Sequence, residues 1–475
     1  MKSFFSGLVW KFLEKIAGQL ISFVISIVLA RLLMPEEYGM IAIVSAFITI
    51  ADVFVANGFG TALIHKKDSD DLDFSSNFYV NFCLSIFLYA VLFAFAPAVA
   101  AFYNNPQLTA ILRVLGLRLL FTSYDSIQQA YISRHLIFKN SAIATIIATV
   151  CSGATGLVMA FYGYGVWALV GQQLCMTVVQ VVVLSVITKW HPKLQFSWKR
   201  TKAMLGYGNN VLLAALLDTA TTQLRALLIG RYYSDADLAY YNRGDAYPQL
   251  LLNSINNTLH VVLFAIYAKE QDNRQTVKHI VRTAVSRGTF FIFPMMIGLA
   301  MVAKPLICLM LTEKWLGSVP YLQIACFAYA TWVIQIVNQE AIIALGYSKQ
   351  YVVISIVRSL IGLVLLFIAV RINVLAISIS VVLSNIISTL IVCGFNRATL
   401  GYRFRELFLD IAPAILVAAC IAGGVWLTSL IALPLLAALA LQVAVGVVVF
   451  ILVALITKNE SFFWAFNKVK SVISR

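Results

Sequence analysis

From Phe74 to Ala101, and again from Ile411 to Ile456, the chain carries no Asp, Glu, Lys or Arg. About 20 consecutive apolar residues suffice to cross the hydrocarbon of a bilayer as a helix. In lipid every backbone N–H and C=O must be satisfied within the protein, which leaves only helices and closed barrels. Barrel strands are short and alternate in polarity; these runs are long and continuous, so the spans are helical. The whole chain agrees: 61% of its 475 residues are hydrophobic, 12% are charged, and the mean hydropathy is +0.89. Ordinary soluble domains carry about 25% charged residues. The fold class is an all-α polytopic membrane protein.

Hydropathy places about fourteen transmembrane helices, at 10–33, 38–65, 74–101, 107–133, 140–163, 164–188, 204–231, 236–266, 284–311, 318–346, 350–371, 373–396, 410–430 and 432–457. Turns carry Pro, Gly or Asn, as at Pro35, Asn104-Asn105-Pro106, Gly163-Tyr164-Gly165, Gly346 and Asn373. The net charge of +15 follows the loops. One alternating set of connections, with the two tails, holds 25 of the 35 Lys and Arg; the opposite set holds only Arg31, Arg231, Lys304, Lys314 and Arg371. Positive loops stay inside, so the sequence predicts cytoplasmic termini. Phe4–Trp10 reads as an interfacial lead-in, with no small-residue cleavage site after it.

The chain repeats itself. Leu29-Ala30-Arg31-Leu32-Leu33-Met34-Pro35-Glu36-Glu37-Tyr38-Gly39 returns as Ile229-Gly230-Arg231-Tyr232-Tyr233-Ser234-Asp235-Ala236-Asp237-Leu238-Ala239, offset by 200. Asn57 matches Asn257 at that offset, and Gln129 and Lys139 recur as Gln339 and Lys349 at an offset of 210. Six spans per copy is an even number, so the copies are parallel repeats about an axis along the membrane normal. The expected domains are a six-helix bundle over 1–188, a basic cytoplasmic linker over 189–203, a second bundle over 204–396, and an accessory helix pair with the tail over 397–475. Trp190, Phe196, Trp198 and the linker cations suit a segment lying on an anionic inner leaflet.

Charges inside a membrane are costly and must face a partner or water. Arg118, Thr122, Asp125 and Gln129 share one helical face, as do Asp218, Thr222 and Arg225. Further stripes are Asn253, Asn256, Asn257 and His260, and Gln335, Asn338 and Gln339 beside Glu340. Asp52 and Asn57 mark the second span. These residues predict a hydrated cavity between the halves. Its candidate substrate contacts are Arg118, Arg225, Arg243, Arg358, Asn57, Asn257, Gln129 and Gln339. Asp52, Asp125, Asp218 and Glu340 are candidate coupling carboxylates. The alternative is that the stripes only bond helix to helix, with Arg118 paired to Asp125 and Arg225 to Asp218. Pro248 in the eighth span is either a hinge or a static bend.

Other chemistries find little support. The seven cysteines lie in apolar runs without C-x-x-C spacing, so no metal and no cofactor is expected. No basic–aromatic nucleic-acid motif appears, and no P-loop, zinc protease, nucleophile-elbow or dinucleotide fingerprint. Asp68-Ser69-Asp70 and Asp71-Leu72-Asp73 match the D-x-D pattern of sugar transferases, but no nucleotide-binding domain surrounds them. Glu36-Glu37 could serve a membrane glycosyltransferase, yet it also reads as the acidic start of a helix.

Leu29-Ala30-Arg31-Leu32-Leu33 with Pro35-Glu36-Glu37-Tyr38-Gly39, Asn57-Gly58-Phe59-Gly60-Thr61-Ala62-Leu63-Ile64 followed by Lys66-Lys67, Tyr240-Tyr241-Asn242-Arg243, and Glu313-Lys314-Trp315 followed by Pro320-Tyr321-Leu322-Gln323 together carry a resemblance over nearly the whole chain. It resembles the polysaccharide-transport branch of the multidrug/oligosaccharidyl-lipid/polysaccharide (MOP) flippase superfamily. One departure is Leu263-Phe264-Ala265, where similar proteins often carry proline after the phenylalanine. The resemblance implies a non-enzymatic inner-membrane flippase. It would move an undecaprenyl-diphosphate-linked oligosaccharide by alternating access, for O-antigen, capsule or exopolysaccharide synthesis. Membrane lipids, a polysaccharide polymerase and chain-length machinery are the implied partners. The alternatives are an ion-coupled small-molecule or drug exporter of the same fold and, further off, a membrane glycosyltransferase.

Overall fold

The computed structural model describes residues 2–57, 63, 70–188, 190–431, 433–464 and 467, and all regular structure among them is helical. Two compact units emerge, Met1–Ala239 and Tyr240–Arg475.

Unit 1 holds α1 (Lys2–Leu32), α2 (Pro35–Asn57), α3 (Asp71–Phe102), α4 (Gln107–Gly116), α5 (Arg118–His135), α6 (Phe138–Phe161), α7 (Val166–Thr188) and α8 (Trp198–Tyr232). It ends with the first turn of α9 (Asp235–Lys269). Unit 2 holds the rest of α9, then α10 (Arg274–Met301), α11 (Ala303–Leu311), a 3₁₀ turn (Glu313–Ser318), α12 (Val319–Ala330), α13 (Trp332–Ala344), α14 (Ser348–Ala369), α15 (Val374–Leu400), α16 (Phe404–Ser429) and α17 (Leu435–Ile456).

Joined across breaks at Leu117, Val302 and Thr331, these helices form fourteen segments, consistent with the number expected. Among the described residues, ten are long and apolar enough to cross a membrane. The breaks have local causes. Pro305 has no N–H to give the carbonyl of Met301 and would crowd it, and α10 stops there. The Thr331 hydroxyl bonds back to Ala328 O at 3.0 Å, and Asn385 Nδ2 reaches the same carbonyl at 3.2 Å. Pro248, by contrast, lies inside a continuous α9.

The repeated turn is the same structure twice. Leu33 N bonds Leu29 O at 2.9 Å, and Tyr233 N bonds Ile229 O at 2.9 Å. Glu37 then accepts from the Met34 N–H at 2.7 Å, while Asp237 accepts from Ser234 N–H at 3.3 Å and from its hydroxyl at 2.7 Å. In both copies an acid in the first turn of the new helix satisfies donors of the preceding turn, where the helix dipole favours negative charge. Glu37 thus has a capping task.

Small residues set the packing of unit 1, as is usual between helices in lipid. A Cβ on Gly153 would meet Ile25 of α1, and one on Gly171 would meet Met159 of α6. α8 packs lengthwise on α2, which is why the compact unit extends past the sequence-repeat boundary at residue 203. Gly39 is central to this: a Cβ there would collide with the Asp235 carbonyl. Around it, Asn105 Nδ2 bonds Asp235 at 3.1 Å and the Tyr103 hydroxyl bonds Leu227 O at 3.2 Å.

The linker is fastened to the start of α3. Asp70 and Asp73 form a reciprocal capping box. Arg200 pairs with Asp70 at 2.7 Å and Lys193 with Asp71 at 2.6 Å, while Lys193 N and Ser197 N bond the Ser75 and Ser76 hydroxyls. The hydrogen bond from Arg200 holds the Asp70 carboxyl below the usual carboxylate range, and Asp71 raises the Lys193 ammonium. The Asp70–Asp73 acids are therefore structural; Asp68 and Ser69 lie outside the described residues. Trp190 differs from its expected interfacial place. It is 5% exposed, packed with Phe74, Ile127 and Ala130. Leu194 is 96% exposed, and Phe196 and Trp198 are also exposed.

In unit 2 the C-terminal helix pair packs closely on its neighbours. α16 lies along α10, Arg282 grips Asp410 with two hydrogen bonds of 2.8 and 2.9 Å, and Lys278 reaches Glu406 at 2.9 Å. Below these ties Phe290, Val417, Ile421, Val425 and Ala454 form an apolar core.

Candidate functional site

A cavity of about 430 Å³ opens inside unit 1, walled by α1, α5, α6 and α7. Helical spacing builds it. Arg118, Thr122 and Asp125 follow at i, i+4 and i+7 on α5, and Gln173, Thr177 and Gln180 follow at the same spacing on α7. The two polar faces meet, with Thr149 and Ser152 of α6 and Ser22 of α1 completing the wall.

Arg118 Nη2 lies 3.1 Å from Asp52 Oδ2, with side-chain exposures of 33% and 14%, and Nη1 reaches Gln173 Oε1 at 3.5 Å. The ion-pair partner is thus Asp52 of α2, not Asp125 two turns along the same face of α5. Asp125 instead accepts from Gln180 Nε2 at 3.4 Å. The other Asp52 oxygen is buried without a hydrogen bond. Removing one member of such a pair leaves the other charge uncompensated. Asp52→Ala should therefore lower stability by about 1–3 kcal/mol, the partial exposure of Arg118 reducing the full buried-pair penalty. The double change Asp52→Asn with Arg118→Gln should recover most of it. Thermal unfolding of the purified protein in detergent measures both, and additive losses would refute the coupling.

Unit 2 holds a second polar cluster. Glu340 on α13 is 0% exposed, with His260 Nδ1 of α9 3.3 Å from one carboxylate oxygen. The Tyr267 hydroxyl is buried in the same region and feels the Glu340 charge. One turn back on α13, Gln335 accepts from the Arg358 guanidinium of α14 once its amide is turned to face it. Tyr351 lies near enough to Arg358 to interact with it. Among the described residues no carboxylate pairs with Arg358, and its Nε is buried without a partner. Asn396 Nδ2 bonds Asn338 Oδ1 and its backbone oxygen, each at 2.9 Å.

The remaining candidates are scattered. Arg243 sits over the Trp315 ring at 5.3 Å. Gln129 accepts from the Ser141 hydroxyl at 3.3 Å, beyond the cavity wall. Arg225 is half-buried on α8 and Gln339 half-buried on α13. The side chains of Asn57, Asp218, Asn253, Asn256 and Asn257 lie outside the described residues. The expected cavity was one between the halves; the cavity that gathers Arg118 and Asp125 lies within unit 1. Gln173, Thr177 and Gln180 were not among the candidates, although their spacing in an otherwise apolar helix is readable.

A family model described as "Polysaccharide biosynthesis protein" matches residues 28–320. The chain is 22% identical to the succinoglycan biosynthesis transport protein ExoT of Rhizobium meliloti (strain 1021), over 66% of this chain and 63% of that protein. It is 23% identical to the teichuronic acid biosynthesis protein TuaB of Bacillus subtilis (strain 168), over 73% and 72%. With the lipopolysaccharide biosynthesis protein WzxC of Escherichia coli (strain K12) it shares 22%, over 63% and 61%. The matches with ExoT and WzxC thus span less than two thirds of those proteins. Among solved structures, the lipid II flippase MurJ in an inward closed conformation aligns with a TM-score of 0.74 at 14% identity, covering 95% of this chain and 98% of that one. An inward-facing multidrug resistance transporter of the MOP superfamily aligns with a TM-score of 0.60 at 13% identity, over 81% and 94%. Those likenesses establish the fold, that of a multi-pass membrane protein. The family match covers more than half of the chain, which belongs to the polysaccharide biosynthesis protein family.

Proposed function

We propose that this protein is a flippase, not an enzyme, that carries a lipid-linked oligosaccharide across the bacterial inner membrane for surface-polysaccharide synthesis. The carrying observation is the polar cavity walled by membrane helices, with a charged pair held at its side. Such charges are expensive in lipid, and a polar cargo or its coupling ion gives a reason to keep them there. The named relatives act in polysaccharide biosynthesis or its transport. Two six-helix repeats moving against each other supply alternating access. An undecaprenyl diphosphate is the proposed anchor, its tail remaining in the bilayer. Both termini are proposed to be cytoplasmic, on the loop-charge asymmetry. Polymerase and chain-length proteins are the proposed receivers on the far side. The test is complementation. In a strain lacking its own exporter, the wild-type chain should restore surface polysaccharide and clear the lipid-linked precursor from the inner leaflet. Persistent precursor despite normal protein levels would overturn the reading.

Glu340 is the proposed coupling carboxylate, because it is buried beside a histidine that can share or release a proton. Glu340→Gln is expected to abolish any dependence of transport on a pH gradient while leaving gradient-free exchange intact. Vesicle transport measured with and without an imposed gradient decides this, and an unchanged gradient dependence would clear Glu340. Export of small cationic compounds by the same fold has one supporting observation. The unit 1 site brings Asp52 and Asp125 close to Arg118 at one cavity. Efflux of a cationic dye from whole cells would support that alternative.

A further inference from the structure

The Gly163-Tyr164-Gly165 turn and Glu37 share a second cavity in unit 1, of about 310 Å³. The start of α2, the start of α4 and the α6–α7 turn wall it. The backbone of the turn shapes the space. Gly163 and Gly165 take φ of 77° and 57°, which glycine adopts without steric cost. Gly163 N and Tyr164 N bond the Ala160 and Met159 carbonyls, each at 3.1 Å, and Trp167 N returns to Tyr164 O at 3.2 Å. The chain thus reverses within a few residues, and Tyr164 and Trp167 line the same cavity. Glu37 is fixed beside them. One of its oxygens accepts the Met34 N–H at 2.7 Å, and a Cβ on Gly165 would collide with the other. Gln107 of α4 adds an exposed side-chain amide.

These groups match the chemistry of a sugar ring. A pyranose has a C–H face that packs on aromatic rings and a rim of hydroxyls that both donate and accept. Tyr164 is 58% exposed and Trp167 half-buried, so both keep ring surface for a ligand. A carboxylate can accept from hydroxyls, and an amide both donates and accepts. The volume lies at the small end of the roughly 300–1,000 Å³ common for small-molecule sites, which suits one ring rather than a whole repeat unit. Tryptophan and tyrosine also gather at membrane interfaces with no ligand. Such a belt, however, needs neither a cavity nor an acid and an amide within it. On the proposed topology all three walls lie at outer helix ends, where a translocated saccharide would emerge.

We infer that this second cavity is a saccharide subsite on the outer face, where Trp167 and Tyr164 stack on a sugar ring and Glu37 and Gln107 bond its hydroxyls. The inference rests on the flippase reading for its source of sugar. The subsite is distinct from the Arg118 cavity, with which it shares no lining residue.

The test uses the full-length chain in lipid nanodiscs. Ala110→Cys, at the cavity wall, reports by labelling with a hydrophilic maleimide, and the unsubstituted chain gives the background from the seven native cysteines. Glucose and N-acetylglucosamine at about 100 mM should each slow labelling about threefold, as for a weak site near two-thirds occupancy. Sorbitol, which has the hydroxyls but no ring face, should not. Trp167→Leu should remove the protection. Gln107→Ala, at an exposed position, should raise the sugar concentration needed about threefold to tenfold, the worth of one hydrogen bond. Saturation-transfer NMR of the unsubstituted protein should mark the C–H protons of glucose and not those of sorbitol, whatever the reporter's folding. No protection by either ring sugar, equal protection by sorbitol, or protection unchanged in both variants would overturn the inference and leave an interfacial aromatic belt. Transport of a lipid-linked saccharide, measured on the same protein in vesicles, separates the two claims. Transport without sugar protection sinks the subsite alone. Protection without transport sinks the flippase reading and leaves a sugar-binding cavity.

Discussion

Gly39→Val is expected to cut surface-polysaccharide export at least about tenfold while the protein still inserts into the membrane. The reason is geometric. Gly39 lies near the start of α2, and a Cβ there would collide with the carbonyl oxygen of Asp235 and sit 2.7 Å from its Cα. Backbone atoms cannot swing aside as a long side chain can. Overpacking ordinarily costs about 1–3 kcal/mol, and this contact belongs at the upper end. The neighbours brace the same approach: Gly230 sits against Ile43, and Asn105 holds the Asp235 carboxylate. In an alternating carrier a close approach of this kind is made in one state and released in another. A cost of about 2 kcal/mol confined to one state shifts its population about thirtyfold. Gly39→Ala should show the same defect in milder form. Precursor accumulation and thermal unfolding, measured together, check the prediction. Wild-type export by Gly39→Val would show that the contact has no part in the cycle.

Arg358→Gln is expected to separate stability from activity. The guanidinium is held by Gln335, which is neutral, and its Nε is buried without a partner. A charge at mid-bilayer costs roughly 2.5–3.5 kcal/mol even on the lenient insertion scale. Replacing it with a neutral amide should leave the melting temperature unchanged or raise it. Export should nonetheless fall about tenfold or more, because the proposed diphosphate loses a bidentate donor. Arg358→Lys should restore the charge but not the fork, and recover export only in part. Undiminished export by Arg358→Gln would mean that the charge is incidental. A large loss of stability would mean that it is structural.

How far the sequence could be read follows from the range of each signal. Hydropathy is local, so the spans were legible, and the recurring turn at 29–39 and 229–239 proved to be one capping arrangement used twice. The Arg118, Thr122 and Asp125 face was legible because it obeys helical spacing, and it does line one cavity wall. The facing wall on α7 carried the same spacing and was overlooked among its valines. The Arg118–Asp52 pair joins residues 66 positions apart on helices whose packing no local pattern reports. The nearer Asp125 was the natural misreading. Trp190 shows a related limit. An aromatic residue in a basic linker fits a membrane surface, but the pocket at Phe74 and Ile127 is visible only in three dimensions.

The most direct test of the account is translocation by the purified protein alone. Vesicles containing the full-length chain would carry a fluorescent polyprenyl-diphosphate saccharide in both leaflets, with an impermeant lectin or glycosidase added outside. The account predicts that nearly all of the saccharide becomes accessible with time, faster than in protein-free vesicles, and that Arg358→Gln removes the difference. If folded wild-type protein leaves the inner-leaflet half as inaccessible as empty vesicles do, the account is contradicted.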